Sequence, residues 1–197
     1  MKRLLVVAII ALISFSATAQ KNSSLALDTT SSVNGNFQLH EIVNIDALKK
    51  DQLYKNAKLY FMDVFAGAKD AFQYDDKQEG RIIGKGFLMV DDYKSVFPGV
   101  AVLKWDVYYN TEIICKDGKY SVCVYDIVIT REGHVAENNY RNVHLTLKDA
   151  YAAIPKQRGP YKELYTKVIN KMIGEFNANI STLNESMAKK QSDYAAF

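Results

Sequence analysis

Residues 101–129 read AVLKWDVYYNTEIICKDGKYSVCVYDIVI, and this stretch decides the fold. Apolar and polar side chains alternate along its first half, which predicts a strand with one buried face, formed by Ala101, Leu103, Trp105, Val107, Tyr109, Thr111, Ile113 and Cys115. Lys116-Asp117-Gly118 then has the composition of a three-residue hairpin turn, with Gly118 in the left-handed conformation. Such a turn sets Cys115 opposite Lys119. The buried face of the second strand would then continue at Cys123, Tyr125, Ile127 and Ile129.

A two-residue turn is the alternative for this hairpin. It would set Tyr109 opposite Asp126, whereas the three-residue turn opposes apolar side chains, and we therefore expect the three-residue register. In that register Cys115 and Cys123 share a face but lie roughly 13 Å apart, at ~3.3 Å per residue. In the two-residue register they lie on opposite faces. Neither arrangement brings the two cysteines close enough for a disulfide. We therefore expect two free, buried thiols.

The flanking segments alternate between strand and helix patterns. Their spacing predicts a strand over 37–45, a helix over 50–66, a hairpin of strands 71–76 and 80–90, a short strand near 143–147 and a long helix from Pro160. An order of strand, helix, four strands and helix is typical of the α+β class. We expect a single domain over residues 37–190, with both helices on one face of a curved antiparallel sheet.

The first 19 residues have the three parts of a secretory signal peptide. Lys2 and Arg3 are basic, an apolar run covers residues 4–15, and small side chains precede a predicted cleavage between Ala19 and Gln20. The apolar run is shorter than the roughly 20 residues that a membrane-spanning helix needs. We therefore expect a periplasmic or secreted protein with no transmembrane segment after cleavage.

Removal of the signal peptide changes the charge balance. The chain has 25 basic and 22 acidic residues, and the loss of Lys2 and Arg3 leaves 23 against 22, a net charge of +1. A nucleic-acid-binding domain normally carries a clear basic excess, so we expect no nucleic-acid partner. Residues 20–36 are rich in Ser, Thr and Asn and are predicted to form a flexible leader. Residues 191–197 are predicted to form a C-terminal tail.

Four motifs carry a family resemblance: DQLYKNAKLYF (51–61), AFQYDD (71–76), GRIIGKG (80–86) and KDGKY (116–120). Together they resemble the secreted bacterial family DUF4468, a domain of unknown function described as having a TATA-binding-protein-like (TBP-like) fold. The resemblance covers about residues 37–131. It implies a TBP-like β-α-β4-α order. It implies no catalytic residue and no DNA binding, because a fold does not determine a function.

Patterns for catalysis and for cofactor or metal binding are incomplete in this chain. Gly84-Lys85-Gly86 lacks the third glycine of a dinucleotide loop and the Ser or Thr of a P-loop. Glycines in a strand instead favour a bulge or a close approach of another element. The histidines, His40, His134 and His144, lack the spacing of a zinc-binding helix. We expect no cofactor, no metal site and no enzymatic activity.

The sheet face opposite the helices is the predicted binding surface. It combines Tyr with charged and amide side chains, a composition suited to a polar partner, at Lys104, Asp106, Tyr108, Asn110, Glu112, Tyr120 and Asp126. We expect a non-enzymatic binding domain whose partner is a protein, a glycan or another cell-envelope component. A plain solvated face is the alternative. Two further classes stay open: a structural protein that self-associates, and a hydrolase assembled from dispersed residues such as His134, His144 and Asp126.

Overall fold

The computed structural model of the chain describes residues 26–28, 36–64, 72–96, 99–131, 143–156 and 160–190. The strands are β1 (Ala26–Asp28), β2 (Gln38–Asn44), β3 (Phe72–Asp76), β4 (Arg81–Val96), β5 (Gly99–Lys116), β6 (Lys119–Arg131) and β7 (Val143–Thr146). The helices are α1 (Lys50–Val64), α2 (Leu147–Ala153) and α3 (Pro160–Met187), and a short 3-10 turn follows α2 at Ile154–Lys156. The predicted signal peptide, the predicted C-terminal tail and His134 lie outside the described residues.

The strands form one antiparallel sheet in the order β1-β2-β6-β5-β4-β3, and β7 pairs with the last part of β6. β4 and β5 pair continuously from Arg81 opposite Ile114 to Val96 opposite Gly99. This long ribbon forms the middle of the sheet, because β6 and β3 flank it on either side. The predicted α+β class is confirmed.

Both long helices pack on one face of the sheet, as predicted. The core beneath them contains Trp105 and Ile113 of β5, Phe61 of α1 and Met172 of α3, each at most 1% exposed. Removal of this apolar surface from water is the main driving force for folding. Among the described helices, none combines the length and apolar character needed to cross a membrane.

The helices α1 and α3 also contact each other directly. The Tyr60 hydroxyl donates a hydrogen bond to the Asn179 carbonyl at 3.1 Å. The Asn56 side-chain amide donates to the carbonyls of Met187 and Lys189 at 3.0 and 2.8 Å. Carbonyls at the end of a helix lack partners within the helix. Asn56 therefore satisfies acceptors at the end of α3 that the helix itself leaves open.

The β5–β6 hairpin differs from the predicted register by one residue. Its turn contains two residues, Asp117 and Gly118, so Cys115 pairs with Tyr120 and not with Lys119. The side chains of this part of β6 that face the helices are therefore Tyr120, Val122 and Val124. The predicted three-residue turn was therefore wrong. Because a one-residue shift moves every side chain to the other face of a sheet, it also placed the side chains of this part of β6 on the wrong face.

A β-bulge at Asp126 reconciles this register with the rest of the strand. The pairing shifts by one residue between Tyr108 and Asn110, and Asp126 has a positive φ of 51°. Two residues of β6 face one residue of β5 at this point. Ile127 and Ile129 then return to the buried face, as predicted. The bulge thus removes the conflict at Asp126 that had favoured the three-residue turn.

The two cysteines are free and lie on opposite faces of the sheet. Cys115 is buried beneath the helices, and this burial raises the pKa of its thiol to about 12. Cys123 and Tyr125 were expected on the same buried face, but they lie on the other side. There the Cys123 thiol donates to Gln38 Oε1 at 3.4 Å. A thiol with a raised pKa is protonated at neutral pH, so Cys115 is a poor nucleophile.

Secondary structure that the sequence did not predict occurs at Ala26–Asp28, Leu147–Ala153 and Ile154–Lys156, and β4 continues to Val96, beyond its predicted end at residue 90. Ala26–Asp28, within the predicted flexible leader, pairs with β2. Leu147–Ala153 forms α2, whose cap is Thr146: its hydroxyl oxygen accepts the Asp149 N–H at 3.1 Å. Thr followed three residues later by Asp is a capping-box pattern, and this was the available signal for α2.

The β5–β6 turn also anchors the start of α1. Asp117 Oδ1 accepts the backbone N–H of Lys50 at 2.9 Å, and the Gly118 N–H donates to the Leu48 carbonyl at 2.9 Å. The first N–H groups of a helix lack partners within it, and a carboxylate there also complements the helix dipole. The bonds from the Lys50 backbone and the Lys49 side chain hold the pKa of Asp117 below its usual range.

We expect Asp117→Ala to lower the thermal unfolding temperature near neutral pH, and this loss to disappear in acid. A carboxyl whose folded-state pKa is lowered contributes stability above its unfolded-state pKa, and that stability vanishes as the pH falls through the folded-state pKa. Melting curves of the variant and the parent, measured from neutral pH to about pH 2, should therefore converge. Asp46→Ala, an exposed carboxyl beside the same turn, is the control. A loss for Asp117→Ala that does not change with pH would contradict this interpretation.

Candidate functional site

The sheet face opposite the helices, called the open face below, carries exposed apolar side chains. Phe87 and Met89 of β4 are each 52% exposed, and Tyr108 of β5 is 50% exposed. Phe87 and Tyr108 are cross-strand partners whose ring centroids lie 5.3 Å apart, with the ring planes tilted by 48°. The described helices pack on the other face and leave these side chains uncovered. Large apolar side chains grouped on a surface mark interaction sites.

A depression of about 320 Å³ lies beside this aromatic pair. Its lining comes from three neighbouring strands and consists of Lys85, Gly86, Tyr108, Tyr109, Asn110 and Asp126. Small-molecule sites have volumes of about 300 to 1,000 Å³ and combine apolar walls with a few polar groups. We call the depression together with Phe87, Met89 and Tyr108 the open-face site.

The β-bulge aims Asp126 into this site. In a regular continuation of β6, Asp126 would face the helices, as Val122 and Val124 do. The bulge instead turns its carboxylate toward the open face, where Asn110 Nδ2 donates to Asp126 Oδ2 at 3.2 Å. Bulges often re-aim a side chain next to a functional site. The polar centre of the depression therefore depends on a local departure from regular strand geometry.

The polar groups of the open-face site can exchange hydrogen bonds in both directions. The Lys85 ammonium only donates, the Asp126 carboxylate only accepts, and the Tyr108 hydroxyl can do both. One cation and one anion line the depression. The same balance continues beside it on β5, where Lys104 is exposed and Asp106 is half-buried. The site thus has mixed polarity and little net charge.

A second polar cluster lies elsewhere on the open face and is already satisfied internally. Arg81 Nε donates to Glu112 Oε1 at 2.6 Å, and this bond raises the pKa of the guanidinium. The same guanidinium lies 5.3 Å from the centre of the Tyr74 ring, within the range of a cation–π contact. The Tyr74 hydroxyl in turn donates to Glu79 at 2.9 Å. These groups are engaged with one another, so they offer less to a ligand than the open-face site does.

A family model described as a domain of unknown function (DUF4468) with TBP-like fold matches residues 40–130. Residues 40–130 therefore match DUF4468, and this segment is called the DUF4468 domain below. This confirms the resemblance carried by the motifs between residues 51 and 120. The matched segment contains all of α1, β3, β4 and β5, most of β2 and almost all of β6. The open-face site therefore lies wholly inside the DUF4468 domain.

Two crystal structures are similar to this chain over most of its length. A TBP-like protein from Parabacteroides distasonis has 13% sequence identity and a TM-score of 0.62, over 83% of this chain and 100% of that chain. A DUF4468 family protein from Bacteroides ovatus has 11% identity and a TM-score of 0.56, over 82% of this chain and 92% of that one. No curated protein matches the chain. At these identities the likeness establishes the shared fold.

The open face of the DUF4468 domain contains six of the seven predicted binding residues: Lys104, Asp106, Tyr108, Asn110, Glu112 and Asp126. Tyr120 was misplaced by the prediction. It is only 1% exposed, its hydroxyl donates to the Asn184 side chain of α3, and burial raises its pKa. The error follows from the turn between β5 and β6. The turn has one residue fewer than predicted, and this shift moves Tyr120 to the face covered by the helices. The structure therefore removes Tyr120 from the candidate site.

Sequence reasoning missed the contribution of β4 to the site. Lys85, Phe87 and Met89 lie on alternate positions, and their partners on β5 are Asn110, Tyr108 and Asp106. The available signal was that alternation, together with the exposed character expected of Lys85. Because glycines flank Lys85, the segment was compared only with phosphate-binding loops. That comparison was negative, and the side chains of β4 were not considered further.

The histidines do not form a site with Asp126 in the part of the chain that the structure describes. His40 lies on β2, two strands from β5. His144 is exposed on β7 and pairs with Thr130, four residues beyond Asp126 along β6. Within the same described residues, no group of three or more His, Cys, Asp or Glu side chains could hold a metal ion. The hydrolase alternative therefore has no assembled catalytic group in these segments.

A larger groove, of about 940 Å³, runs along α1 and is rich in lysine. Acidic residues of the fold already engage two of these lysines: Lys49 lies 3.4 Å from Asp117, and Lys58 lies 2.6 Å from Asp75. Burial opposes ionisation of Asp75, but hydrogen bonds from Lys58 and Tyr54 outweigh it and lower the pKa of this carboxyl. Because part of the positive charge is neutralised internally, the open-face site is the better candidate.

Proposed function

We propose that this DUF4468 protein is a secreted or periplasmic, non-enzymatic binding protein that uses the open-face site to hold a protein or glycan of the cell envelope. The signal-peptide pattern of residues 1–19 supports the location. The observation that carries the binding function is the cluster of exposed Phe87, Met89 and Tyr108 beside a polar depression. The lining groups bind and orient a partner, and none of them is an activated nucleophile.

The apolar cluster supplies the driving force for this binding. Complete burial of a Phe or Met side chain is worth about 1.5–3 kcal/mol relative to full exposure. About half of the surface of Phe87, Met89 and Tyr108 is exposed, so a partner covering them gains a substantial part of that free energy. Tyrosine is also enriched among the residues that dominate binding interfaces. The polar depression then provides orientation and specificity.

We expect the double variant Phe87→Ser/Tyr108→Ser to lose capture of its partner from envelope extract. The loss of two aromatic anchors should reduce the captured amount by at least about tenfold, since a difference of 1.4 kcal/mol changes an affinity tenfold. The measurement is quantitative affinity capture on immobilised protein. The bound material is analysed for both protein and carbohydrate.

The matched control is Met62→Ser/Val64→Ser on α1. These side chains are 53% and 43% exposed, so the control removes similar apolar surface from the helical side of the molecule. It should retain capture, and both variants should keep the cooperative melting transition of the parent. Equal capture by the parent and the Phe87/Tyr108 variant would overturn the proposal. Equal loss in the α1 control would show that capture is not specific to the open-face site, because Met62 lines the groove along α1.

A further inference from the structure

We infer that the open-face site takes a neutral oligosaccharide, an inference that rests on the binding function proposed above. The site joins a polar depression to an aromatic wall: Tyr108 belongs to both, Phe87 extends the wall, and Lys85 and Asp126 line the depression. A sugar ring has the complementary composition, with hydroxyl groups around its edge and C–H groups on its faces.

The hydrogen-bonding groups of the depression match the hydroxyls of a sugar. Each hydroxyl both donates and accepts, so it is best held between a donor and an acceptor. Lys85 supplies donors, and the Asp126 carboxylate supplies acceptors. Asn110 gives one N–H to Asp126 Oδ2 and keeps its side-chain carbonyl as a further acceptor. Neighbouring hydroxyls could therefore be bound simultaneously.

The aromatic wall matches the C–H face of the same ring. The face of an aromatic ring carries negative charge density, which attracts the slightly positive hydrogens of C–H groups. The Phe87 and Tyr108 rings are tilted by 48° to each other, so they form two walls of a shallow corner rather than one flat surface. Met89, two residues further along β4, extends this apolar wall.

The charges of the site favour a neutral ligand over an anionic polymer or a protein. The charges of Lys85 and Asp126 offset each other in the depression, and Lys104 beside it lies near Asp106 on β5 and opposite Asp91 on β4. A polyanion would meet these carboxylates, and juxtaposed like charges oppose association. A stable protein interface covers about 800 Å² on each partner, with a broad apolar centre. A depression of about 320 Å³ with polar walls instead suits one short segment of a sugar chain.

The bulge places the acceptor before any ligand arrives. Asp126 is held by backbone conformation, with φ of 51°, and by its bond from Asn110. A preorganised group loses little conformational entropy when it binds, which favours affinity. Asp126 differs in this respect from an ordinary surface aspartate, whose side chain would lose conformational freedom only when the ligand binds.

The test is a glycan array that carries neutral and charged oligosaccharides, probed with the labelled protein and followed by calorimetry on the strongest neutral glycan. Asp126→Gly removes the carboxylate but keeps the bulge, because glycine readily adopts positive φ. We expect this variant and Tyr108→Ala each to weaken binding at least about tenfold. Lys116→Ala, at the far end of β5, should bind like the parent. All variants should melt like the parent.

The outcomes separate this inference from the proposed function. Binding to neutral glycans that falls in both site variants supports the inference. Binding restricted to charged glycans, or binding that Asp126→Gly leaves unchanged, overturns it. A blank array together with Tyr108-dependent capture from envelope extract overturns the glycan inference and leaves the binding function standing. A blank array together with capture that does not depend on Tyr108 overturns both.

Discussion

Gly86→Val is expected to destabilise the protein by about 3 kcal/mol, at the upper end of the range for overpacked cores. Gly86 lies on β4 opposite Tyr109, whose ring covers the glycine. A Cβ atom at this position would lie 2.6 Å from the Tyr109 hydroxyl oxygen and closer still to two ring carbons. The ring cannot move away freely, because Phe176 of α3 packs edge-on against it at 4.8 Å. Chemical denaturation of variant and parent gives the free-energy difference.

Two further variants test the cause of this destabilisation. Tyr109→Ala in the Gly86→Val background should restore part of the lost stability, so the double variant should be more stable than the sum of the single effects. Gly174→Ala is the control, because a Cβ there has no neighbouring atom within 4 Å. Gly174 lies in the interior of α3, where alanine is favoured by about 0.5–1 kcal/mol. Additive effects at positions 86 and 109 would refute the steric explanation.

Asn56→Leu is expected to lower the free energy of unfolding by about 3 kcal/mol, although leucine has a similar size and is apolar. Asn56 is fully buried and bonds to the carbonyls of Met187 and Lys189. Leucine would leave these acceptors without that donor, and an unsatisfied buried polar group costs about 1–3 kcal/mol. The measurement is again chemical denaturation, with the amide exchange of α3 as a local readout.

Gln52→Leu separates this tertiary contact from the hydrogen bond inside α1. Gln52 Nε2 donates to Asn56 Oδ1 at 2.7 Å, one turn away on the same helix. Gln52→Leu should cost less than Asn56→Leu, because it leaves one acceptor, Asn56 Oδ1, without its donor, whereas Asn56→Leu leaves two carbonyls without theirs. If Asn56→Leu cost no more than Gln52→Leu, the contact with α3 would have little part in stability.

Elements with strong periodicity were predictable from local sequence. α3 repeats apolar side chains at spacings of four and three residues, and this repeat is buried at Val168, Met172, Phe176, Ile180, Leu183 and Met187. β5 alternates over its whole length and was placed correctly for the same reason. α2 was missed because its seven residues are too few for a helical period to stand out.

The register of β6 was not predictable from either half of the strand alone. Its first half places apolar residues on even positions, including Val122 and Val124, whereas Ile127 and Ile129 lie on odd positions. In a regular strand, side chains at even and odd positions point to opposite faces, so these two sets could not both face one core. A change of phase within one strand is therefore a signal for a bulge, and here it marks the residue that aims into the site.

The sequence by itself determined the α+β class, the long helices α1 and α3, the presence of the β5–β6 hairpin, and the positions of Tyr108 and Asn110 on the open face. These features depend on periodicity within single segments. Only the tertiary structure decided that Tyr120 faces inward, that a bulge at Asp126 joins the two halves of β6, and that Asn56 meets the end of α3, 131 residues away. These features depend on pairing between distant segments. A shift of one residue in that pairing reverses the face of every side chain, and no local pattern specifies it completely.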